Sequence, residues 1–190
     1  MEEKCFCGRP AVIVRKYEGS ALCEKHFCKS VEKKVKKLIR ENKMVEKGDK
    51  IAVSMSESGS YVALYMLKKI FGERKDMEIF PISEKKKYNK ICMGNSLDDE
   101  IVHILTDFIN GDLFRKKSAK RVIKPLRRLP ENEIELYAKL NKLKFSKSKY
   151  KGLELEISNF LNEIESKSSG MKFSALTTLD QISACIRNQK

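Results

Sequence analysis

Apolar residues at Val31, Val35, Leu38 and Ile39 recur at the three- and four-residue spacing of one helix face, with Lys33, Lys34, Lys36, Lys37 and Arg40 between them. This pattern predicts a first helix from Val31 to about Met44 with one buried and one basic side. Gly48-Asp49 interrupts it, and the run Lys50-Ile51-Ala52-Val53-Ser54-Met55 reads as a strand. A small-residue loop, Ser56 to Ser60, leads into a helical stretch from Val62 to Phe71. Two further short strands are expected at Met77–Ile82 and Asn89–Met93. Leu97-Asp98-Asp99-Glu100 then opens a helix whose apolar positions are Ile101, Ile104, Leu105, Phe108 and Ile109. Acidic residues in that first turn suit the positive end of the helix dipole. After a basic stretch closed by Pro125 and Pro130, three more helices are expected at about 131–143, 152–166 and 175–187.

A strand, a Ser/Gly loop and a helix in that order begin an α/β unit. The expected architecture is a reduced, three- to four-stranded parallel sheet with flanking helices and a helical C-terminal part. Its expected divisions are a knuckle over residues 1–30, an α/β domain over 31–130 and a helical part of the same body over 131–190. No internal repeat or long linker interrupts the 190 residues. No apolar run reaches the ~20 residues that span a bilayer, so no membrane partner is expected. The charged N-terminus lacks the apolar core of a signal peptide, which points to the cytoplasm.

Charge changes this picture more than length does. Forty Lys and Arg against 26 Asp and Glu leave a net charge of +14. An excess of that size favours a polyanionic partner, because each neutralised phosphate releases condensed counterions. The densest run is Arg115, Lys116, Lys117, Lys120, Arg121, Lys124, Arg127 and Arg128, eight cations in fourteen residues without an acid. With Lys33, Lys36, Lys37 and Arg40 on the first helix, these form the candidate RNA-binding surface. A second run, Lys142, Lys144, Lys147, Lys149 and Lys151, follows later in the chain. Contacts of this kind hold a phosphate backbone without reading its sequence.

Six cysteines in a chain without secretory features argue for metal before disulfides. Cys5-Phe6-Cys7-Gly8 and Cys23-Glu24-Lys25-His26 form two ligand pairs with fifteen residues between them. Three thiolates and one imidazole at this spacing can close a tetrahedron around Zn²⁺, leaving no open position for substrate. Cys28 is the alternative ligand. Cys92, Cys185 and His103 fall on apolar faces and are expected in the core.

With these elements placed, Cys5-Phe-Cys-Gly-Arg-Pro-Ala-Val12 and Ala21-Leu-Cys-Glu-Lys-His-Phe27 resemble the N-terminal zinc finger of the TtuA-like tRNA 2-thiolation proteins. That group includes the eukaryotic cytoplasmic wobble-uridine thiolases. Gly48 to Ser54 is similar to the strand entering the family's nucleotide-binding PP-loop, and Gly94-Asn-Ser-Leu-Asp-Asp-Glu100 resembles its GHNLDDE motif. Lys124-Pro-Leu-Arg127, Pro130 to Glu133 with Leu136-Tyr-Ala138, and Ser169 to Ser174 are similar to three further segments, in the same order. The resemblance implies a PP-loop (HUP-like) α/β fold with an N-terminal zinc knuckle.

The departures from the family carry the functional expectation. The family's SGGKDS loop uses paired glycines so that backbone amides can approach phosphates; here Ser56-Glu57-Ser58-Gly59-Ser60 lacks the Gly pair and the Lys-Asp pair. Ser56, Ser58, Gly59, Ser60, Asp98 and Asp99 therefore read as a degenerate nucleotide site, which argues against ATP binding. The family's CxxC section has no counterpart before Cys92, and Ser148 stands at its third catalytic cysteine, so no iron–sulfur cluster is expected beside the structural zinc. The resulting expectation is a pseudoenzyme with no catalytic residue, a non-catalytic RNA-binding protein. It would act on tRNA beside a catalytic thiolase subunit, or on ribosomal RNA as a ribosome-bound hibernation factor filling a tRNA site. The alternative is a minimal ATP-dependent tRNA-modifying enzyme for wobble-uridine 2-thiolation.

Overall fold

The computed structural model describes residues 3–112 and 121–188. A small antiparallel hairpin of β1 (Ile13–Arg15) and β2 (Ser20–Leu22) leads into α1 (Glu24–Glu41). The α/β unit follows as β3 (Lys50–Val53), α2 (Ser60–Phe71), β4 (Glu78–Pro81), β5 (Lys90–Cys92), α3 (Leu97–Ile109) and β6 (Val122–Ile123). Three helices complete the chain, α4 (Glu131–Leu140), α5 (Leu153–Lys167) and α6 (Met171–Asn188).

The sheet has the order β4-β3-β5-β6 and every pairing in it is parallel. Ile51, Ala52 and Val53 are all fully buried, as expected for a central parallel strand covered on both faces. The chain leaves β3 for β4 on one side and reaches β5 on the other, so the strand order reverses between β3 and β5. Ligands of open α/β sheets bind in the crevice beyond the strand ends at such a point.

The first helix starts seven residues before the pattern of valines suggests, directly after Cys23. Residues 23–28 carry the knuckle's second ligand pair and so read as part of a turn, yet Phe27 continues the apolar face of Val31, Val35 and Ile39. The hairpin and β6 escape sequence reading because strands of three and two residues show no alternation to detect.

Two apolar clusters result. One joins Cys5, Cys23 and Phe27 to α1, α2, β3 and to Ile134, Tyr137 and Ala138 of α4. The other holds α3 against α5 and α6 through Leu97, Ile101, Ile157, Leu161 and Leu176. No helix of the described residues is long and apolar enough to cross a membrane.

Candidate functional site

The knuckle is built by local backbone geometry. The Cys5 N–H donates to the Arg9 carbonyl and the Gly8 N–H to the Cys5 carbonyl, and Gly8 takes a left-handed φ of 81° that favours glycine. Cys23, extended, immediately precedes α1, which puts His26 in the helix's first turn beside it. The ligand atoms of Cys5, Cys7, Cys23 and His26 all lie within 4.8 Å of one another. Cys7 Sγ is 3.7 Å from Cys23 Sγ, and His26 Nδ1 is 3.3 Å from Cys5 Sγ and 3.4 Å from Cys23 Sγ. A tetrahedron with metal–sulfur bonds of ~2.3 Å has edges of about 3.8 Å, so these residues fit one metal ion without rearrangement. Against its burial, hydrogen bonds from the Cys7 and Cys23 amides and from His26 pull the Cys5 thiol down to about 6. The Arg9 amide favours the Cys7 thiolate, but burial and its Cys5 and Cys23 neighbours prevail and push that thiol up. Crowded thiolates of this kind repel one another until a cation joins them. Cys28 lies apart, with its Sγ accepting from Asn141 Nδ2 at 3.9 Å.

A second site lies at the point where the strand order reverses. The loops after β3 and β5 touch backbone to backbone there, with the Gly59 N–H donating to the Gly94 carbonyl at 3.2 Å. A Cβ on Gly59 would lie 2.5 Å from that carbonyl oxygen, and one on Gly94 would lie 2.4 Å from the Ser60 nitrogen. Only glycine allows this approach. Glu57 folds back over the start of α2 and accepts from the hydroxyls of Ser54 at 3.0 Å, Ser56 at 2.9 Å and Ser60 at 3.1 Å. Ser58 is buried and donates to Asp99 Oδ2 at 3.4 Å.

Asp99 is the hub of this region. Its carboxylate forms a capping box with Ser96 and accepts from Ser148 Oγ at 2.6 Å and Tyr150 OH at 2.8 Å. Asp98 instead pins the C-terminal helices, accepting from Lys172 Nζ of α6 and from the Glu131 N–H of α4. Glu131 in turn accepts from the Ser148 N–H at 2.7 Å. Burial, and then the Asp99 and Asp98 charges, push the Glu131 carboxyl up despite its bonds from Ser148. Burial beside Asp99 likewise raises the Tyr150 hydroxyl.

A cavity of about 420 Å³ opens on this cluster, lined by Ser56, Ser58, Asn95, Asp99, Ser148 and Tyr150 among others. Asn95 is 1% exposed, and its Oδ1 has no hydrogen-bond partner among the described residues, while its Nδ2 is 3.3 Å from His103 Nδ1. Sequence reasoning missed Asn95, Tyr150 and Glu131, because nothing in the primary order shows that the segment at 145–151 folds back over the loop at 56–60. It also placed Cys185 and His103 in the core, whereas both are exposed; Cys92 is fully buried.

The candidate RNA residues divide into two kinds. Lys33, Lys36, Lys37 and Arg40 lie exposed along α1, and Arg121 and Arg128 are exposed beside β6. Lys124 and Arg127 turn inward, pairing with buried Glu100 at 2.6 and 3.2 Å, and Arg127 also holds Asp180 at 2.7 Å. Arg115, Lys116, Lys117 and Lys120 lie outside the described residues.

Residues 4–28 match the family model for the N-terminal LIM domain of the 2-thiouridine synthetase TtuA. The tRNA 2-thiolation protein NcsA of Haloferax volcanii is 24% identical over 93% of this chain and 85% of its own length. Across nearly its whole length the chain is similar to TtuA/NcsA-like tRNA 2-thiolation proteins. A shorter match, 41% identical over 69 residues, covers 35% of the chain and 22% of the tRNA-5-methyluridine(54) 2-sulfurtransferase of Pyrococcus horikoshii. The fold is that of the solved U34-tRNA thiolase NcsA of Methanococcus maripaludis, with a TM-score of 0.81 at 19% identity over 97% of this chain and 89% of that one.

These similarities correct two expectations. The similar proteins with named activities are tRNA sulfurtransferases, and nothing in the comparison shows loss of activity, so the expectation of a pseudoenzyme is withdrawn. The expectation of structural zinc without an iron–sulfur cluster, and without ATP, falls with it. The solved thiolase carries a [4Fe–4S] cluster, and the Cys/His set here is compatible with iron–sulfur or with zinc binding. Substituted motif residues were too thin a ground for either exclusion, because a site is assembled in space from several segments.

Proposed function

We propose that this chain is a cytoplasmic, ATP-dependent tRNA-modifying enzyme of the 2-thiolation type. The observation that carries the reading is the cavity beyond β3 and β5, which gathers Ser56 and Ser58 from one loop, Asn95 and Asp99 from the next, and Ser148 and Tyr150 from a segment about fifty residues on. In this reading Ser56, Ser58 and Ser60 with the backbone at Gly59 receive the nucleotide's phosphates, and Glu57 swings off the serine hydroxyls as they enter. Asp99, Ser148 and Tyr150 orient the reacting groups, and Glu131 holds the Ser148 backbone in place by accepting from its N–H.

The metal knuckle stiffens the N-terminal end, and Lys33, Lys36, Lys37, Arg40, Arg121 and Arg128 hold the tRNA by its phosphates. The test incubates the purified, metal-loaded protein with tRNA, ATP, Mg²⁺ and a sulfide source. Release of AMP or pyrophosphate that requires tRNA, with 2-thiouridine detected in the digested RNA, is the expected result. Failure to bind ATP and to release either product under these conditions would overturn the reading. A specific check is Asn95→Ala, which should weaken ATP or tRNA binding while leaving the fold intact.

A further inference from the structure

Outside the cavity, the knuckle and the first helix carry an unusual conjunction of an exposed ring and unpaired cations. Phe6, between the ligands Cys5 and Cys7, is 80% exposed. It is held rather than loose: its ring packs on His26 with centroids 4.3 Å apart and planes tilted by 32°. A rigid exposed aromatic face costs little entropy to engage and is apolar surface that water does not favour.

A groove of about 690 Å³ opens beside the knuckle; Arg9, Lys25, Lys29 and Lys69 stand in its wall with Glu24 and Glu32, of which Glu32 is taken up by Lys69 at 2.7 Å. From there a stripe of cations continues along α1. At 100° per residue, Lys25, Lys29, Lys33, Lys36 and Arg40 fall within a sector of about 80° and span about 22 Å of helix. All five are exposed. The ion pairs on this part of the protein are Lys34–Glu18, Lys37–Glu41 and Lys69–Glu32; among the described residues no carboxylate pairs with any of the five. Surface cations left without counter-charges in one line complement a polyanion of regular charge spacing, and RNA is one.

We infer that the knuckle and α1 form a single-stranded-RNA clamp. An unpaired base stacks on Phe6, the following phosphates lie in the groove between Arg9, Lys25 and Lys29, and the backbone continues along Lys33, Lys36 and Arg40. Stacking on one ring tolerates any base, and the cations read charge only, so the clamp selects an unpaired tRNA end or loop by shape rather than by sequence. The clamp rests on the proposal that tRNA is the substrate, and it adds Phe6, Arg9, Lys25 and Lys29 to the residues that hold it.

The experiment measures binding of full-length tRNA to the intact protein by fluorescence anisotropy across a salt series. The combined variant Lys25→Ala, Lys29→Ala, Lys33→Ala and Lys36→Ala should bind at least tenfold more weakly. Its slope of log affinity against log salt should be shallower by about three, because ~0.7 counterions are released per single-strand phosphate contact. Phe6→Ala should lose about tenfold with the salt slope unchanged. The chain has no tryptophan, so Phe6→Trp supplies a single tryptophan, excited selectively beside the six tyrosines, that keeps the stack on His26. Its emission should be quenched by tRNA and by a short single strand, and not by a blunt RNA duplex. Wild-type binding of tRNA with unchanged affinity in both variants would overturn the clamp and spare the proposed function. A wild type that binds no tRNA would overturn both. Quenching by the duplex equal to that by the single strand would overturn the stacking role.

Discussion

Glu133→Gln removes one member of the most deeply buried ion pair among the described residues. Arg15 of β1 and Glu133 of α4 are each 1% exposed and meet at 2.6 Å, joining residues 118 apart in sequence. Tyr17 OH donates to the other Glu133 oxygen. Burial opposes the Arg15 charge, yet Glu133, then Tyr17 and Glu18, hold it firmly protonated, and the Phe27 ring lies 5.4 Å from the guanidinium. The one oxygen of Gln can accept from Arg15 while its NH2 donates to a rotated Tyr17 hydroxyl, so the shape survives while the counter-charge goes. Removing one partner of a buried pair costs about 3–5 kcal/mol. Arg15 keeps Ser30 at 2.7 Å and the more exposed Glu18 at 3.1 Å, which places the expected loss at the lower end, about 3 kcal/mol. For a chain of this size that lowers Tm by roughly 6–12 °C. The double variant Arg15→Met with Glu133→Gln removes both charges and should recover most of the loss. Thermal and urea unfolding followed by circular dichroism measure the wild type, Glu133→Gln, Arg15→Met and the double variant. A Glu133→Gln cost below about 0.5 kcal/mol, or a double variant as damaged as the two singles added, would show that charge burial does not lock the hairpin to α4.

Other outcomes follow from single contacts. Gly94→Ala sets a Cβ 2.4 Å from the Ser60 nitrogen, backbone against backbone, and should destabilise the fold by several kcal/mol while Gly111→Ala, with nothing within 4 Å, costs only its left-handed φ strain of about 1 kcal/mol; unfolding curves compare them. Asp49 is buried, and although desolvation works against its charge, the Glu46 amide, Lys90 and Asn89 hold its carboxyl below the usual range. A depressed carboxyl contributes stability above its unfolded value of ~3.9 and loses it as pH falls through the lower folded value, so Asp49→Asn should lower Tm at pH 7 and narrow its gap to the wild type below about pH 3. Burial first, then Glu57, raises the Cys92 thiol, so a soluble maleimide should label exposed Cys185 at pH 7.5 and leave Cys92 untouched until the protein unfolds, as mass spectrometry would show. Cys23→Ser should remove the bound metal, whether zinc or iron, by elemental analysis, and its Tm should match that of chelator-treated wild type.

The sequence by itself determined the local structure. The i, i+4 spacing of Val31 and Val35 marks a helix face, and acids after Ser96 mark a helix start, because both signals act between neighbours in the chain. It also determined the ligand pairs at Cys5/Cys7 and Cys23/His26, since each pair closes within one turn, and the order of family-like motifs. Tertiary structure alone decided where the charges went. Lys124 and Arg127 belong to the same basic run as Arg121 and Arg128, yet Glu100 and Asp180 draw them inward, and no local rule could announce partners 24 and 53 residues away. It decided that Ser148 and Tyr150 reach Asp99, about fifty residues distant in the chain, and so that a loop with substituted motif residues still opens on a furnished cavity. The apolar pattern records which side of each element is buried. It carries no record of which elements then meet, and a site lies where they meet.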